Sequence, residues 1–164
     1  MGEEQKKNLL TKEGLKAYED ELKELTVHRR HDVAQKLKEA RAQGDLSENA
    51  EYDAAKEEQS EIENRIKFIE DIIKNSEIVD ENAVEEGKVG IGCTVKIKDV
   101  SAKEDLEYKI VGSSEASSLS GRISNESPLG KALIGHEVGE TVKVSAPIGM
   151  LKYKILKISK TVEA

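Results

Sequence analysis

Two acidic residues, Asp45 and Glu48, lie three positions apart in a short stretch between two long helical patterns. Gly44 beside them is the only glycine between Lys16 and Asn82, so it marks an obvious place for the chain to turn. Carboxylate oxygens suit Mg²⁺, which keeps several waters and often takes only one or two protein carboxylates. Two carboxylates alone would hold the ion weakly, so a metal site here requires ligands from another protein.

A second interpretation of the same acids is structural. Asp-Leu-Ser-Glu fits a capping arrangement, with Asp45 as N-cap of the second helix and Glu48 at its third helical position. Acids at a helix start also offset its dipole. Taken alone, the residues favour capping over catalysis because capping boxes are common, and the two roles can coexist.

Apolar residues on each side of this stretch repeat at spacings of three and four, which predicts one buried face on each of two helices. In the first helix they are Leu15, Tyr18, Leu22, Leu25, Val33, Leu37 and Ala40, with a break at Arg29, Arg30 and Asp32. In the second they are Tyr52, Ala55, Ile62, Ile66, Ile69 and Ile73. The heptad period and the short connection predict an antiparallel α-helical coiled-coil hairpin about 40 Å long. Thr11 is the expected cap of the first helix. We expect Phe68 and Ile72, which lie off this face, to pack on whatever follows.

The second half changes to alternation of apolar and charged residues, the pattern of half-buried antiparallel strands. Such segments start at Thr94, Leu106, Glu140 and Leu151, and residues 122–125 are a weaker candidate. Ser127 as N-cap, Pro128 in the first turn and Gly135 at the end indicate a short helix between them. The chain is therefore predicted to be α+β. We place the hairpin at 1–76 with its tip at about 43–49, a linker at 77–91 and a globular domain at 92–164.

Composition narrows the function classes. The net charge of -7 argues against general coating of DNA, although a local basic patch stays compatible with nucleic-acid contact. Cys93 is the only cysteine, which excludes disulfides and cysteine-rich metal sites, and we expect it to fill the core. No apolar run has the length of a membrane helix, and the first residues lack the apolar core of a signal peptide. We expect a cytoplasmic monomer.

Two motifs carry a resemblance to a known family. Gly44-Asp-Leu-Ser-Glu-Asn-Ala-Glu-Tyr52 lies at the turn, and Ser127-Pro-Leu-Gly-Lys-Ala-Leu-Ile-Gly135 followed by Val138-Gly-Glu-Thr-Val lies in the second half. In this order and at this separation they resemble the bacterial transcript cleavage factors of the GreA/GreB family. The likeness runs from about Leu10 to Ile158.

The resemblance implies both a fold and a function. The second half is expected to be a small FKBP-like antiparallel β-sheet domain that docks at the rim of the secondary channel of bacterial RNA polymerase. The hairpin is expected to pass down that channel, where Asp45 and Glu48 help a second Mg²⁺ bind in the polymerase active centre. The polymerase then cuts backtracked RNA, so the factor activates a reaction without being a nuclease and binds no Mg²⁺ stably by itself.

The resemblance also assigns roles to other residues near the turn. Arg41 and Lys56 match positions at which the family places basic residues facing the RNA 3′ end, while Ser47 stands where some members have a basic residue. Asn49 and Tyr52 complete the tip motif, and Tyr52 either stacks on a base or closes the end of the helical seam. For the other basic residues of the first helix, ion pairing with the acids of the second is the expectation.

Two other functions remain open at this point. A regulator that enters the same channel and blocks cleavage or nucleotide entry would need the hairpin but not the acids. A prolyl isomerase would need an aromatic-lined pocket, for which the second half offers only Tyr108 and Tyr153. His28 and His31 lie three apart but have no further histidine or paired cysteine nearby, so we interpret them as solvated rather than as zinc ligands.

Overall fold

The computed structural model describes residues 8–44, 49–80 and 86–160. The chain divides into two compact units, a hairpin unit of Leu15–Asn75 and a sheet unit of Met1–Gly14 with Ser76–Ala164. This division by contacts differs from the predicted boundaries at the start of the chain, because residues 8–14 belong with the sheet unit. No helix in the described ranges combines the length and the apolar character that a bilayer crossing requires.

The hairpin unit consists of long helices separated by one turn. They are α1 (Lys12–Lys23), a π-helical segment (Glu24–Arg29), α2 (Arg30–Ala42) and α3 (Ala50–Asn75). The first three run on without a break, so the hairpin has one arm of mixed helix type and one regular α-helical arm. The 26 residues of α3 span about 39 Å at 1.5 Å per residue, which confirms the predicted hairpin.

The core of the hairpin follows the predicted apolar faces. Its buried members are Leu25, Val33, Ile62, Ile66 and Ile69, with Tyr18, Leu22 and Ile73 packed partly buried against them. Of the two residues expected to pack off this face, Ile72 is buried, whereas Phe68 is 49% exposed. The guanidinium carbon of Arg65 lies 5.1 Å from the centroid of the Phe68 ring.

The π-helical segment explains the break in the apolar pattern of the first arm. Leu25 and Val33, both buried, are eight residues apart, a spacing that would place them about 80° apart around an ideal α-helix. The N–H of Arg30 donates to the carbonyl of Leu25, five residues back, so one extra residue is absorbed in a wide turn. The eight residues then advance the helix as seven would, and Val33 returns to the face of Leu25.

The sheet unit is built on five strands in the order β5-β4-β3-β7-β6. They are β3 (Cys93–Asp99), β4 (Glu104–Val111), β5 (Arg122–Ser124), β6 (Thr141–Ala146) and β7 (Gly149–Lys160). The pairings β3–β4, β3–β7 and β6–β7 are antiparallel, as predicted, whereas the edge pairing β4–β5 is parallel. Cys93 is 1% exposed and belongs to the core of this sheet, as predicted.

The short helix α4 (Pro128–Leu133) starts at the residues that the sequence predicted. The hydroxyl of Ser127 accepts the N–H of Gly130 at 3.0 Å, and Pro128 takes the first turn. A side chain at position 130 would meet the carbonyl oxygen of Ser124 at 2.1 Å, so the helix sits on β5 only because residue 130 is glycine.

The start of the chain adds two features to the sheet unit that the sequence did not predict. Strand β1 (Asn8–Leu10) pairs in parallel with β2 (Ser76–Ile78), and Leu10 is fully buried. Thr11 caps α1 as predicted, since its hydroxyl accepts the N–H of Gly14 at 3.0 Å. The carboxylate of Glu115 accepts both the N–H of Thr11, at 2.9 Å, and its hydroxyl, at 2.5 Å.

Candidate functional site

The turn of the hairpin is held by the side chain of Asn49. Its amide nitrogen donates to the carbonyl of Ala40 at 2.7 Å, and its amide oxygen accepts the N–H of Tyr52 at 3.1 Å. The carbonyl of Asn49 also accepts the N–H of Asp53, the first bond of α3. Asn49 is thus the N-cap of α3 and at the same time ties that helix to the last turn of α2. We call this pair of side-chain bonds the Asn49 bridge.

The cap of α3 differs from the predicted one. The helix begins at Ala50, so the N-cap position falls on Asn49 and not on Asp45. Asp45 and Glu48 themselves lie outside the described residues, as does Ser47. Their proposed role at a metal therefore stays a prediction.

Gly44 closes α2 in a conformation that suits glycine. Its φ is +112°, in the left-handed region, and a β-carbon there would have open space around it. The N–H of Gln43 donates to the carbonyl of Ala40 at 3.3 Å, so that carbonyl serves both the end of α2 and the Asn49 bridge. Backbone conformation, not crowding, is what requires glycine at position 44.

Three of the predicted site residues come together next to this bridge. The guanidinium carbon of Arg41 lies 5.9 Å from the centroid of the Tyr52 ring, and the amine of Lys56 lies 6.0 Å from the same centroid. Both distances are at the limit of a cation–π contact. Tyr52 is half-buried, whereas both cations are exposed. We call Arg41, Tyr52 and Lys56 the tip cluster.

Basic residues nearer the base of the hairpin are paired across it, as predicted. Arg30 makes two bonds to Glu63 at 2.8 and 3.0 Å, and Lys36 and Arg29 share Glu58 at 2.9 and 3.4 Å. The hydrogen bond from Lys36 lowers the pKa of Glu58, and Arg29 adds to the effect. Within the described residues, no acidic side chain forms an ion pair with either cation of the tip cluster.

An open groove of about 290 Å³ lies between the helices close to the tip cluster. It is lined by Lys36, Glu39, Ala40, Gln43, Glu51, Ala54, Ala55 and Glu58. Three carboxylates face one amine there, and that amine is already paired with Glu58. This charge balance does not suit a nucleic-acid phosphate, so the favourable anion site is the tip cluster and not the groove.

Among the described residues, neither histidine of the first arm has partners for a metal site. In the described ranges, no group of three or more His, Cys, Asp or Glu side chains could hold a metal ion. His28 pairs instead with Glu24, one turn earlier, at 2.7 Å, and both His28 and His31 are exposed.

Comparison with known proteins gives the class of this molecule. The sequence profile described as "Transcription elongation factor, N-terminal" matches residues 8–78, and the profile described as "Transcription elongation factor, GreA/GreB, C-term" matches residues 84–160. Together they cover the hairpin, the turn motif and the sheet. The chain belongs to the GreA/GreB family of transcription elongation factors.

Two relatives named as transcription elongation factor GreA agree with this assignment, and one solved structure is given for its similarity alone. The chain is 57% identical over 157 residues to a transcription elongation factor GreA of Lachnoclostridium phytofermentans, covering 96% of this chain and 98% of the relative. It is 49% identical over 156 residues to that of Clostridioides difficile, covering 95% and 98%. The crystal structure of the GreA factor homolog 1 (Gfh1) protein of Thermus thermophilus is 31% identical, with a TM-score of 0.44 and coverage of 94% and 99%.

The sequence interpretation named Arg41, Tyr52 and Lys56 as candidate site residues, but it did not predict the bonds that Asn49 makes. Asparagine is among the strongest N-cap residues, and Asn49 lies three positions before Tyr52, so the signal for the cap was present. The Asp-to-Glu spacing fitted the capping box equally well, and local sequence does not distinguish two overlapping caps. The bond to Ala40 joins residues nine apart across the turn, which no local pattern specifies.

Proposed function

We propose that this chain binds RNA polymerase, enters its secondary channel with the hairpin and stimulates the polymerase's own cleavage of backtracked RNA. Membership of a transcription elongation factor family makes the elongating polymerase its partner. In this proposal the hairpin carries functional residues to the RNA 3′ end, and the sheet unit holds the factor on the polymerase surface. The protein acts as a monomer and has no nuclease activity of its own.

The observation that supports this proposal is the charge arrangement along the hairpin. Cations towards its base are neutralised by acids of the facing helix, at distances such as 2.8 Å for Arg30 and Glu63. Arg41 and Lys56, beside the turn, instead share an aromatic ring. Exposed cations that pair with no acid among the described residues are suited to RNA phosphates. The hairpin therefore offers positive charge next to the acids of the turn.

The proposed role of Asp45 and Glu48 is to complete a metal site that the polymerase supplies in part. Two carboxylates match the ligands that Mg²⁺ prefers, and their number is too small for a stable site in the isolated protein. A bound Mg²⁺ would lower the pKa of a water molecule and stabilise the charge that develops on the phosphate. Arg41 and Lys56 would together hold an RNA phosphate near the bond that is cut.

A cleavage assay on stalled complexes tests this function. Bacterial RNA polymerase is halted in a backtracked state with 3′-labelled RNA, and the protein is added with Mg²⁺. We expect the native protein to release short 3′ fragments and Asp45→Ala with Glu48→Ala to release none. The double variant Arg41→Gln with Lys56→Gln keeps both acids. It should stimulate cleavage at saturating protein, but a higher protein concentration should be needed for half-maximal cleavage.

Three other results, from this assay or from separate assays, would point to different functions. Slower nucleotide addition without cleavage by the native protein would make it a channel blocker and leave the acids without a catalytic role. Cleavage of free RNA in the absence of polymerase would make it a nuclease. Turnover of a proline peptide would support the isomerase hypothesis, which the half-exposed Tyr108 and Tyr153 do not favour.

A further inference from the structure

We propose that Asn49 is a positioning residue that builds the tip cluster, holding Arg41 and Lys56 on one ring as a paired binding site for RNA phosphate. This inference rests on the proposed function for the identity of its ligand. The arrangement itself is independent of the polymerase, because every contact in it joins residues of the hairpin.

The Asn49 bridge sets the relative position of the two helix ends. Its nitrogen faces the carbonyl of Ala40 and its oxygen faces the N–H of Tyr52, so both ends of the amide have a complementary partner. A capping serine or aspartate would satisfy the N–H of Tyr52 equally well. Of these three side chains, only asparagine has a separate N–H donor, on the other side of its amide, for the carbonyl on the opposite helix.

The bridge acts on Arg41 and Lys56 unequally. Lys56 follows Tyr52 by four residues on α3, so its contact with the ring is set by the helix itself. Arg41 directly follows Ala40 on α2, and its contact with Tyr52 crosses the hairpin. The bond from Asn49 to Ala40 is therefore what keeps the Arg41 side chain at 5.9 Å from the ring.

Holding the two cations on a shared ring has a physical consequence. Two like charges repel, and long side chains lose conformational entropy when they are fixed in one place. The electron-rich face of Tyr52 offsets part of both costs. An incoming phosphodiester then meets two charges that are already placed, so less entropy is lost when it binds.

Proton NMR of the isolated protein tests the positioning. Methylene protons over an aromatic face move upfield, and we expect this for both Arg41 and Lys56 in the native protein. Tyr52→Leu should abolish both shifts.

Asn49→Ser keeps a cap and adds no charge, but its short hydroxyl cannot serve Tyr52 and also reach Ala40. In this variant the Arg41 shift should fall most of the way to its value in Tyr52→Leu, while the Lys56 shift stays. Equal helical circular dichroism would show that the cap survives.

The second test measures function, through the salt dependence of RNA cleavage. Losing one single-strand phosphate contact lowers the slope of log affinity against log salt by about 0.7. We measure the protein concentration that gives half-maximal cleavage at several salt concentrations and plot its logarithm against log salt. Arg41→Gln and Asn49→Ser should each lower the slope of this plot by about 0.7. Their combination should lower it no further, because both changes remove the same contact. Asn49→Ser added to Lys56→Gln should lower it by a second step.

Each result decides a separate claim. If Asn49→Ser leaves the Arg41 shift in place, Asn49 is only a helix cap and the inference is wrong. If the shift is lost but the slope is that of the native protein, the positioned cations do not contact RNA and the inference is again wrong. Absence of cleavage with the native protein would overturn the proposed function alone, since the NMR result still decides the positioning.

Discussion

At the scale of single residues, polar side chains hold the starts of the two long arms and tie them to more distant parts of the chain. Thr11 caps α1 and is itself held by Glu115, which lies 104 residues later and accepts two hydrogen bonds from it. Asn49 plays the corresponding part at the start of α3, where it reaches across to Ala40. A helix end has free N–H groups, so one well-placed acceptor can fix both its conformation and its neighbours.

The Thr11–Glu115 contact leads to a prediction about stability. Thr11 is fully buried, so Glu115→Ala leaves its N–H and hydroxyl without that acceptor and away from water. We expect a loss of about 1–3 kcal/mol in the free energy of unfolding of the sheet unit. Hydrogen exchange of the β3 and β7 amides measures it, with the exposed Glu104→Ala as the matched control. Equal protection in the two variants would contradict the account.

At the scale of elements, the π-helical segment keeps the apolar residues of the first arm on one face. It absorbs one residue between Leu25 and Val33, and the extra residue is accommodated where Thr26 bonds back to the carbonyl of Leu22 at 2.8 Å. Val33, Leu37 and Ala40 are the buried residues of α2, and the adjustment sets the direction of this buried face and of Arg41 next to it. The wide turn is thus part of what places the tip cluster.

Deleting Val27 tests this account of the segment. Val27 is 53% exposed and lies within the π-helical turn, so its removal should leave a regular α-helix with Leu25 and Val33 seven residues apart in sequence. We expect the hairpin to fold and to keep the Arg41–Tyr52 contact.

The matched control is a deletion in the other arm. Asn64 is exposed on α3, which is α-helical throughout, so no π-helical turn is there to absorb its removal. Deleting Asn64 should therefore misplace Ile66 and Ile69 relative to Ile62. Thermal unfolding followed by circular dichroism compares the two deletions, and equal damage would contradict the phase argument.

The ion pairs between the arms predict how the hairpin responds to pH. The hydrogen bond from Lys36, and then Arg29, holds the pKa of Glu58 below its ordinary value, so the folded state favours the charged carboxylate. This contribution is present above the unfolded pKa and is lost as the pH falls through the folded one. Glu58→Gln should lower the free energy of unfolding at neutral pH by at most about 1 kcal/mol. The change is seen as a lower unfolding midpoint. The difference from the native protein should start to shrink as the pH falls below the ordinary carboxyl pKa of about 4.3, and it should vanish only below the lowered pKa of folded Glu58.

A matched control for this prediction lies one residue away. Glu57 is exposed on the same helix and forms no ion pair in the described part of the chain. Glu57→Gln should leave the unfolding midpoint close to the native value across the whole pH range. A pH-dependent difference as large as that of Glu58→Gln would mean that general charge, and not the contact with Lys36, is responsible.

At the scale of the whole molecule, residues 8–10 complete the sheet unit before the hairpin begins. Leu10 is fully buried, β1 pairs with β2, and a β-carbon at position 112 would lie 1.7 Å from the carbonyl oxygen of Leu9. Leu10→Ala should therefore destabilise the sheet unit by about 2–5 kcal/mol. Hydrogen exchange should show the loss in β3 and β7, whereas Leu119→Ala, at a fully exposed position, should change nothing.

The elements that sequence analysis predicted correctly are those with long periodic patterns. The hairpin, the strands starting near Thr94, Leu106, Glu140 and Leu151, and the helix capped by Ser127 all follow from local spacing. The pairing of β1 with β2 did not, because three-residue strands 68 positions apart leave no periodic signal. The π-helical turn appeared in the sequence only as a gap in the apolar stripe, which charged residues explained equally well. The tip cations were expected from the resemblance, but their shared ring was not.

The most direct test of the central claim measures how cleavage of backtracked RNA depends on the Mg²⁺ concentration. The account predicts that the native protein lowers the concentration needed for half-maximal cleavage. Asp45→Asn with Glu48→Gln, of the same size but without charge, should give no such shift even where competition with the native protein shows that it occupies the polymerase. An equal shift by the neutral variant would contradict the account, because the hairpin would then act without bringing a metal ligand to the RNA end.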